Sequence, residues 1–396
     1  MLQHIVPLRE GSNEFDRTRV WLYPPLLWKA TSPPRRPGPD QASTQVVKHN
    51  RYSESRYGTM LAYPASFPLL LDPPEGVLSR SKRANTQSNR LIMLDCIIVG
   101  GGPAGLSAAL ILGRCRRSVL VCDTGRPRNA RATAIHGFLT RDGTPPSEFL
   151  ETARSQLRTY PNVELRPIEV VAAECDGNNA FRVALATGEN FASRSLVLAT
   201  GVIDELPPLA GLDELYGRSV FHCPYCDGWE WRDRALAVYG RGESGMGLAA
   251  KLSLWSRDLL LCTGGPHELA IEQIAALGKV GVRLVTEPIS RLEGDAGQLR
   301  AVHFADGSRL ERDAMFVVAR QIQASPLAAR LGCEDRARRT VNTDEHQKTD
   351  IQGLYVIGDA SRDVQMVIIA AAEGADAAFS INKYLLAQEL PAELVD

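Results

Sequence analysis

From residue 93 onward, short apolar runs alternate with longer stretches rich in alanine, glycine and leucine, the rhythm of a chain that alternates strands and helices. "LDCIIV" is a largely apolar run ending at Val99 and predicts a buried strand; "PAGLSAALILGR" predicts a helix to about Arg114, and "SVLVC" a second strand ending before Asp123. The succession returns further on, with a strand over 235–239, an alanine/leucine-rich helix, and the strand "DLLLC" ending near Thr263. "SLVLATG" (195–201) reads as a strand closing on a small-residue turn. "GLYVIGDASRDVQMVIIAAAEGADAAFSIN" (353–382) reads as a strand, a turn, and a long small-residue helix beginning near Gln365.

Residues 1–92 do not share this rhythm. They hold 11 of the 24 prolines and show no sustained helix or strand period, which predicts a mostly disordered or loosely attached leader. A targeting peptide is a competing reading, because the segment carries many arginines. Glu10, Glu14 and Asp16 fit that reading poorly. A third reading starts the natural chain at Met93, where the pattern changes abruptly.

At 396 residues the chain is long enough for two or three domains. A net charge of -1 gives no reason to expect a nucleic-acid or membrane-surface partner, and no run of about 18 apolar residues predicts a membrane span. Eight cysteines are scattered through apolar segments, with one close pair. That usage fits a reducing, cytoplasmic compartment in which most cysteines are buried thiols and a close pair is catalytic or metal-binding.

The loop after the first strand carries Gly100, Gly102 and Gly105 in G-x-G-x-x-G spacing. In a dinucleotide site the first glycine makes the tight turn, the second lets backbone approach a pyrophosphate, and the third allows helix to pack on strand. The helix N-terminus adds free amide donors, and Asp123 can accept from ribose hydroxyls. Glycines that open a helix for packing alone are the bland alternative, and here strand, helix, second strand and acid stand in register against it. Gly240, Gly242 and Gly245 repeat the spacing. Their second strand ends in Thr263, Gly264 and Gly265 rather than in an acid or an arginine pair, and Arg241 is the obvious cation there. Thr200 and Gly201 form a turn that lets a returning chain pass close to a cofactor. Gly358 and Asp359 at a strand end suit ribityl and pyrophosphate oxygens of a flavin, and the helix near Gln365 could aim its dipole at the ring.

The close pair is Cys223 and Cys226 in "FHCPYCDGWEW", followed at once by Asp227. Zinc would require about four ligands, and no second C-x-x-C or H-x3-H partner is present. A purely structural disulfide would close a very short loop and gain little. A redox pair remains: one sulfur with a lowered pKa attacks and the other resolves the mixed disulfide. Asp227 is placed to give or take a thiol proton. His222 could stabilise a thiolate or act as a local hydrogen-bond partner, and His136 in "HGFL" is a weaker candidate.

The order G-x-G-x-x-G (100–105), A-T-G (199–201), C-x-x-C-D-G (223–228), G-x-G-x-x-G (240–245) and G-D (358–359) resembles the low-molecular-weight thioredoxin reductases over roughly Met93 to the C-terminus. The resemblance implies an α/β fold of two Rossmann-like dinucleotide-binding domains, the second inserted into the first. Its parts would be an FAD domain over 93–206 and 315–396, and an NAD(P)-binding-like domain with the redox pair over 207–314. It further implies FAD, NADPH, a homodimer, and a thioredoxin-like protein or small disulfide or dithiol as substrate. By correspondence Cys226 faces the flavin and Cys223 exchanges with the substrate. Pro224 and Tyr225 between the cysteines, "CTGG" after the second fold, and "DTGRPRN" and "HGFLTRDG" depart from the commoner reductases. They resemble a divergent branch that includes dithiol oxidases and adjoins reductases taking electrons from ferredoxin or another flavin. The leading expectation is an FAD-dependent disulfide reductase. The alternatives are a disulfide-forming oxidase with oxygen as acceptor, a ferredoxin- or flavin-linked reductase, and a non-enzymatic flavoprotein.

Overall fold

The computed structural model describes residues 93–176, 180–333 and 340–394. The leader expected over residues 1–92 lies outside the described residues. Five strands run parallel in the spatial order Val163–Arg166, Val119–Cys122, Met93–Val99, Asn190–Leu198 and Leu354–Val356. Val99 is level with Cys122 on one side and Leu198 on the other, and Leu198 is level with Val356. The strands therefore end together, and every segment leaving them starts at one carboxyl edge. This is where open parallel sheets bind ligands. An antiparallel hairpin, Val170–Cys175 and Phe181–Leu185, extends the sheet from the early residues of the Asn190–Leu198 strand.

A second parallel sheet has the order Val282–Val285, Leu259–Cys262, Leu236–Tyr239, Ala314–Val317 and Val220–Phe221. All of it comes from chain lying between residues 198 and 354, so the second fold is inserted into the first, as the fold class predicts. An antiparallel sheet of Ile289–Asp295, Gln298–Phe304 and Arg309–Glu311 follows its penultimate parallel strand. The chain passes between the two folds along Val202–Glu205 and returns along Arg320–Gln323, and these segments pair antiparallel, Val202 opposite Gln323 and Glu205 opposite Arg320.

Central strands such as Val119–Cys122, Leu259–Cys262 and Ala314–Val317 are buried along their whole length, which is why they read as unbroken apolar runs. On one face of the first sheet, helix Pro103–Arg114 packs against the long helix Val367–Glu389 through Ala104, Ala108, Ala377 and Ala378. A side chain on Gly374 would overlap the Ala104 carbonyl oxygen, so small residues set this close approach. Each fully buried Ile or Leu contributes about 1.5–3 kcal/mol. Stability thus resides in the sheet centres, and the edge loops are free to be shaped for binding.

The long helix begins at Val367 rather than at Gln365, because Met366 is still extended (φ -113°, ψ 150°) and forms its N-cap. The expectation that most cysteines are buried holds for Cys96, Cys122 and Cys262, whose thiols burial pushes up to about 12, 11 and 12. Cys115 and Cys175 are exposed instead. The first caps a helix end and the second closes a hairpin strand, both positions beyond the covered part of the sheet.

Candidate flavin and disulfide site

A cavity of about 1240 Å³ lies at the carboxyl edge of the first sheet. Gly100, Gly102, Asp123, Thr200, Gly201, Gly358, Asp359 and Gln365 all line it, together with His222, Cys223, Cys226 and Asp227 from the inserted fold. Residues more than 200 positions apart in sequence meet here because the strands that carry them end level.

The glycine turn separates packing from ligand space. A side chain on Gly100, which has φ +111°, would overlap the Ala199 carbonyl, and one on Gly105 would overlap the carbonyl of Gly100. At Gly102 a side chain would meet no protein atom within 4 Å. Packing alone therefore requires two of the three glycines, and the third faces the cavity where a dinucleotide phosphate would lie. Gly102→Ala is expected to fold and to lose FAD, whereas Gly105→Ala is expected to lower the melting temperature first. Thermal melts and flavin content of the purified variants check both.

Asp123, at the end of the second strand, accepts from Arg154 Nη2 at 3.0 Å, which fixes its carboxylate at the cavity wall. Asp359 accepts from Arg128 Nη1 at 2.8 Å. Arg128, which the motifs did not single out, is the hub of the site. Its five N–H donors all have partners: Asp204 Oδ2 at 2.7 Å and Oδ1 at 2.6 Å, Asp359, Gln365 Oε1 at 2.6 Å, and His222 Nε2 at 3.2 Å. Burial opposes its charge, but Asp204 and Asp359 outweigh that and raise its pKa. Burial would likewise raise Asp204, yet the hydrogen bonds and charge of Arg128 hold it below the usual carboxylate value. Gln321, on the returning crossing strand, completes the group by donating to Gln365 at 2.7 Å.

His222 is locked by two contacts. A guanidinium can only donate, so Nε2 accepts from Arg128, and Nδ1 carries the proton toward the Tyr216 hydroxyl at 2.7 Å. Burial, aided by Arg128, lowers its pKa despite Asp204 and Asp359, and favours this neutral tautomer. The imidazole thus ties the redox segment to the hub.

Cys223 and Cys226 form a disulfide, with Cα atoms 5.3 Å apart. Cys223 caps the turn Pro224–Asp227, and its sulfur accepts from the Cys226 backbone N–H at 3.2 Å. Pro224 suits the first helical position because no donor is needed there. Tyr225 points to solvent. Burial, and then the charge of Glu230, push Asp227 up to about 7, with His136 acting in the opposite sense.

The second glycine turn lies apart from this cavity. Gly245 packs against the Gly240 carbonyl, and Gly242, with φ +52°, opens the helix Gly242–Leu252. Arg241 donates through Nε to the Thr263 carbonyl at 2.8 Å and through Nη2 to that of Gly264 at 2.6 Å. Its guanidinium therefore sits at the end of the second strand of that fold.

Two nested dinucleotide folds, with a C-x-x-C disulfide in the wall of the first one's cavity, define an FAD-dependent disulfide oxidoreductase. Residues 94–374 match the pyridine nucleotide-disulphide oxidoreductase family, and the chain belongs to it. It is 32% identical over 308 residues to the thioredoxin reductase tcpT of Claviceps purpurea, covering 74% of this chain and 95% of the relative. Among solved structures, the putative thioredoxin reductase TrxB from Bacillus anthracis shares 33% identity with a TM-score of 0.71, over 75% of this chain and all of the other. HlmI shares 36% with a TM-score of 0.72, over 75% and 94%. No helix among the described residues is long and apolar enough to cross a membrane.

Proposed function

We propose that the enzyme passes electrons from NADPH through FAD to the Cys223–Cys226 disulfide, and on to a thioredoxin-like protein or a small disulfide. The observation that carries this reading is the placement of the disulfide and Asp227 in the same cavity as the first glycine turn and Asp359. Gly100, Gly102, Gly105, Asp123, Thr200, Gly201, Gly358, Asp359 and Gln365 hold FAD, which when bound supplies or accepts the electron pair. Gly240, Gly242 and Gly245 take the nicotinamide dinucleotide, with Arg241 as the cation at that turn.

Reduction breaks the S–S bond and takes up two electrons and two protons. Cys226 is the sulfur nearer the flavin and Cys223 the one that exchanges with substrate. Asp227 serves both directions, because a carboxyl raised to about 7 is protonated below that pH and a base above it. His222 holds the redox segment in register through Arg128 and Tyr216. The assembly is a homodimer working in the cytoplasm.

One feature favours a second reading, in which dithiols are oxidised and the electrons leave to oxygen. Arg241 commits two of its nitrogens to backbone carbonyls, and the strand beside it ends without an acid or arginine pair. Stopped-flow mixing of the oxidised holoenzyme with NADPH, NADH and reduced ferredoxin separates the readings. Rapid flavin bleaching by NADPH with turnover of thioredoxin is the expected result. Bleaching by a dithiol substrate but by neither nicotinamide would reverse the direction.

A further inference from the structure

We propose that His136 is a second acid–base group of the redox centre, exchanging protons with Asp227 on one side and with solvent on the other. This rests on the cysteine chemistry proposed above and adds the route by which its protons travel.

The loop that carries His136 is built to hold it still. Ile135 and Thr144 close its ends, with Ile135 N–H donating to the Thr144 carbonyl and Gly143 N–H to the Ile135 carbonyl, both at 2.8 Å. Asp142 Oδ1 accepts from the Gly137 N–H at 2.8 Å across the loop. Gly137 has φ +73°, and a side chain there would run into Met366, the N-cap of the long helix. Phe138 packs on Phe149 of the helix Pro146–Leu157, ring centroids 5.7 Å apart. Hydrogen bonds, a glycine conformation and two packed neighbours thus fix one short loop. It presents one imidazole to the cavity that contains Cys223, Cys226 and Asp227.

The two ion-pair partners of His136 among the described residues are acids, and Arg126, Arg128, Arg131 and Arg154 line the same cavity. Asp142, from its own loop, lies 3.6 Å from Nδ1, and Glu230, from the redox segment, lies 3.6 Å from Nε2. Glu230 follows Asp227 by three residues on the same segment, and Asp227 and His136 line the same cavity. The imidazole side chain is 21% exposed, against 66% for Asp142 and 38% for Glu230. It therefore shares a cavity with the half-buried Asp227 while its two ion-pair partners are in contact with water. Imidazole changes charge near neutral pH and can pass a proton through its two nitrogens.

The balance closes without a new reagent. Reduction breaks the S–S bond with the two electrons that bound FAD would supply, and each of the two sulfurs takes up one proton in turn from the Asp227 carboxyl. After each transfer His136 returns a proton to the carboxylate and recovers its own from water, so two protons enter for two electrons. Dithiol oxidation runs the same transfers backward.

The test uses FAD-loaded wild type, H136A, H136Q and D227N, with rapid-mixing measurement of cysteine-dependent electron transfer on either side of pH 7. H136A and H136Q are expected to slow this step about a hundredfold, with melting temperature and flavin content unchanged. Added imidazole should restore most of the rate in H136A and none in D227N. A solvent deuterium isotope effect should be present in wild type and altered in H136Q. Wild-type rates and pH profile in both His136 variants would overturn the inference while leaving the functional reading intact. So would a loss that imidazole does not restore and that leaves the isotope effect unchanged. A wild-type enzyme without any cysteine-dependent transfer would overturn the functional reading itself, and this inference with it.

Discussion

Cys223→Ser is expected to abolish turnover of disulfide and dithiol substrates, by about 10³-fold or more, with FAD still bound and the fold unchanged. A serine hydroxyl cannot form the S–S bond, and it ionises far less readily than a thiol. Cys223 is half-buried at the head of a single turn, so the near-isosteric change disturbs little packing. Steady-state turnover, flavin absorbance and a thermal melt measure the three parts separately. Retained turnover would remove the pair from the catalytic path. Cys96, Cys122 and Cys262 cannot substitute for Cys223 from inside the sheets, where burial pushes their thiols up.

The second large effect is expected at Arg128. Arg128→Met should destabilise the protein by about 3–5 kcal/mol, because it strands the Asp204 carboxylate, whose side chain is only 6% exposed, without its counter-charge. It should weaken FAD binding as well, since Asp359 and Gln365 lose the donor that orients them. Adding Asp204→Asn to Arg128→Met removes both charges and should recover much of the stability but not the flavin affinity. Denaturant midpoints and FAD titration of the two variants decide this. The pH dependence has a definite sign. The Asp204 carboxyl is lowered in the folded state, so the stability it contributes is full above its ordinary value of 3.8 and is lost as pH falls below it. A loss under 1 kcal/mol in Arg128→Met would mean that solvent already screens the pair.

The parts of the site legible in the sequence are those written as local patterns. Gly100, Gly102 and Gly105 could be read because strand, turn and helix are consecutive, and the positive φ of Gly100 is a demand that only local sequence answers. Cys223, Cys226 and Asp227 were legible for the same reason. Arg128 and Asp204 were not, because their partners stand 76 residues apart and meet only when two strand ends are level. Gln321 is further hidden, since nothing in "RQIQ" distinguishes a cavity glutamine from a surface one. The hairpin at 170–185 and the sheet at 289–311 escaped the pattern reading too. Val170–Cys175, Ile289–Asp295 and Arg309–Glu311 alternate weakly, and the doubly covered central strands dominate the apolar signal. His136 lies between these cases, visible as a motif fragment with one acidic partner, Asp142, in its own loop and the other, Glu230, on the inserted fold.

The paired crossing strands Val202–Glu205 and Arg320–Gln323 have a consequence for how such an enzyme can diversify. The chain leaves the flavin fold and comes back at adjacent points, about 5 Å apart. The inserted fold is therefore a closed excursion, and a change in its length or loops need not alter the strand register of the host. Changes on the excursion can therefore accumulate while the flavin cradle stays under its own packing constraints, provided the two adjoining ends are kept.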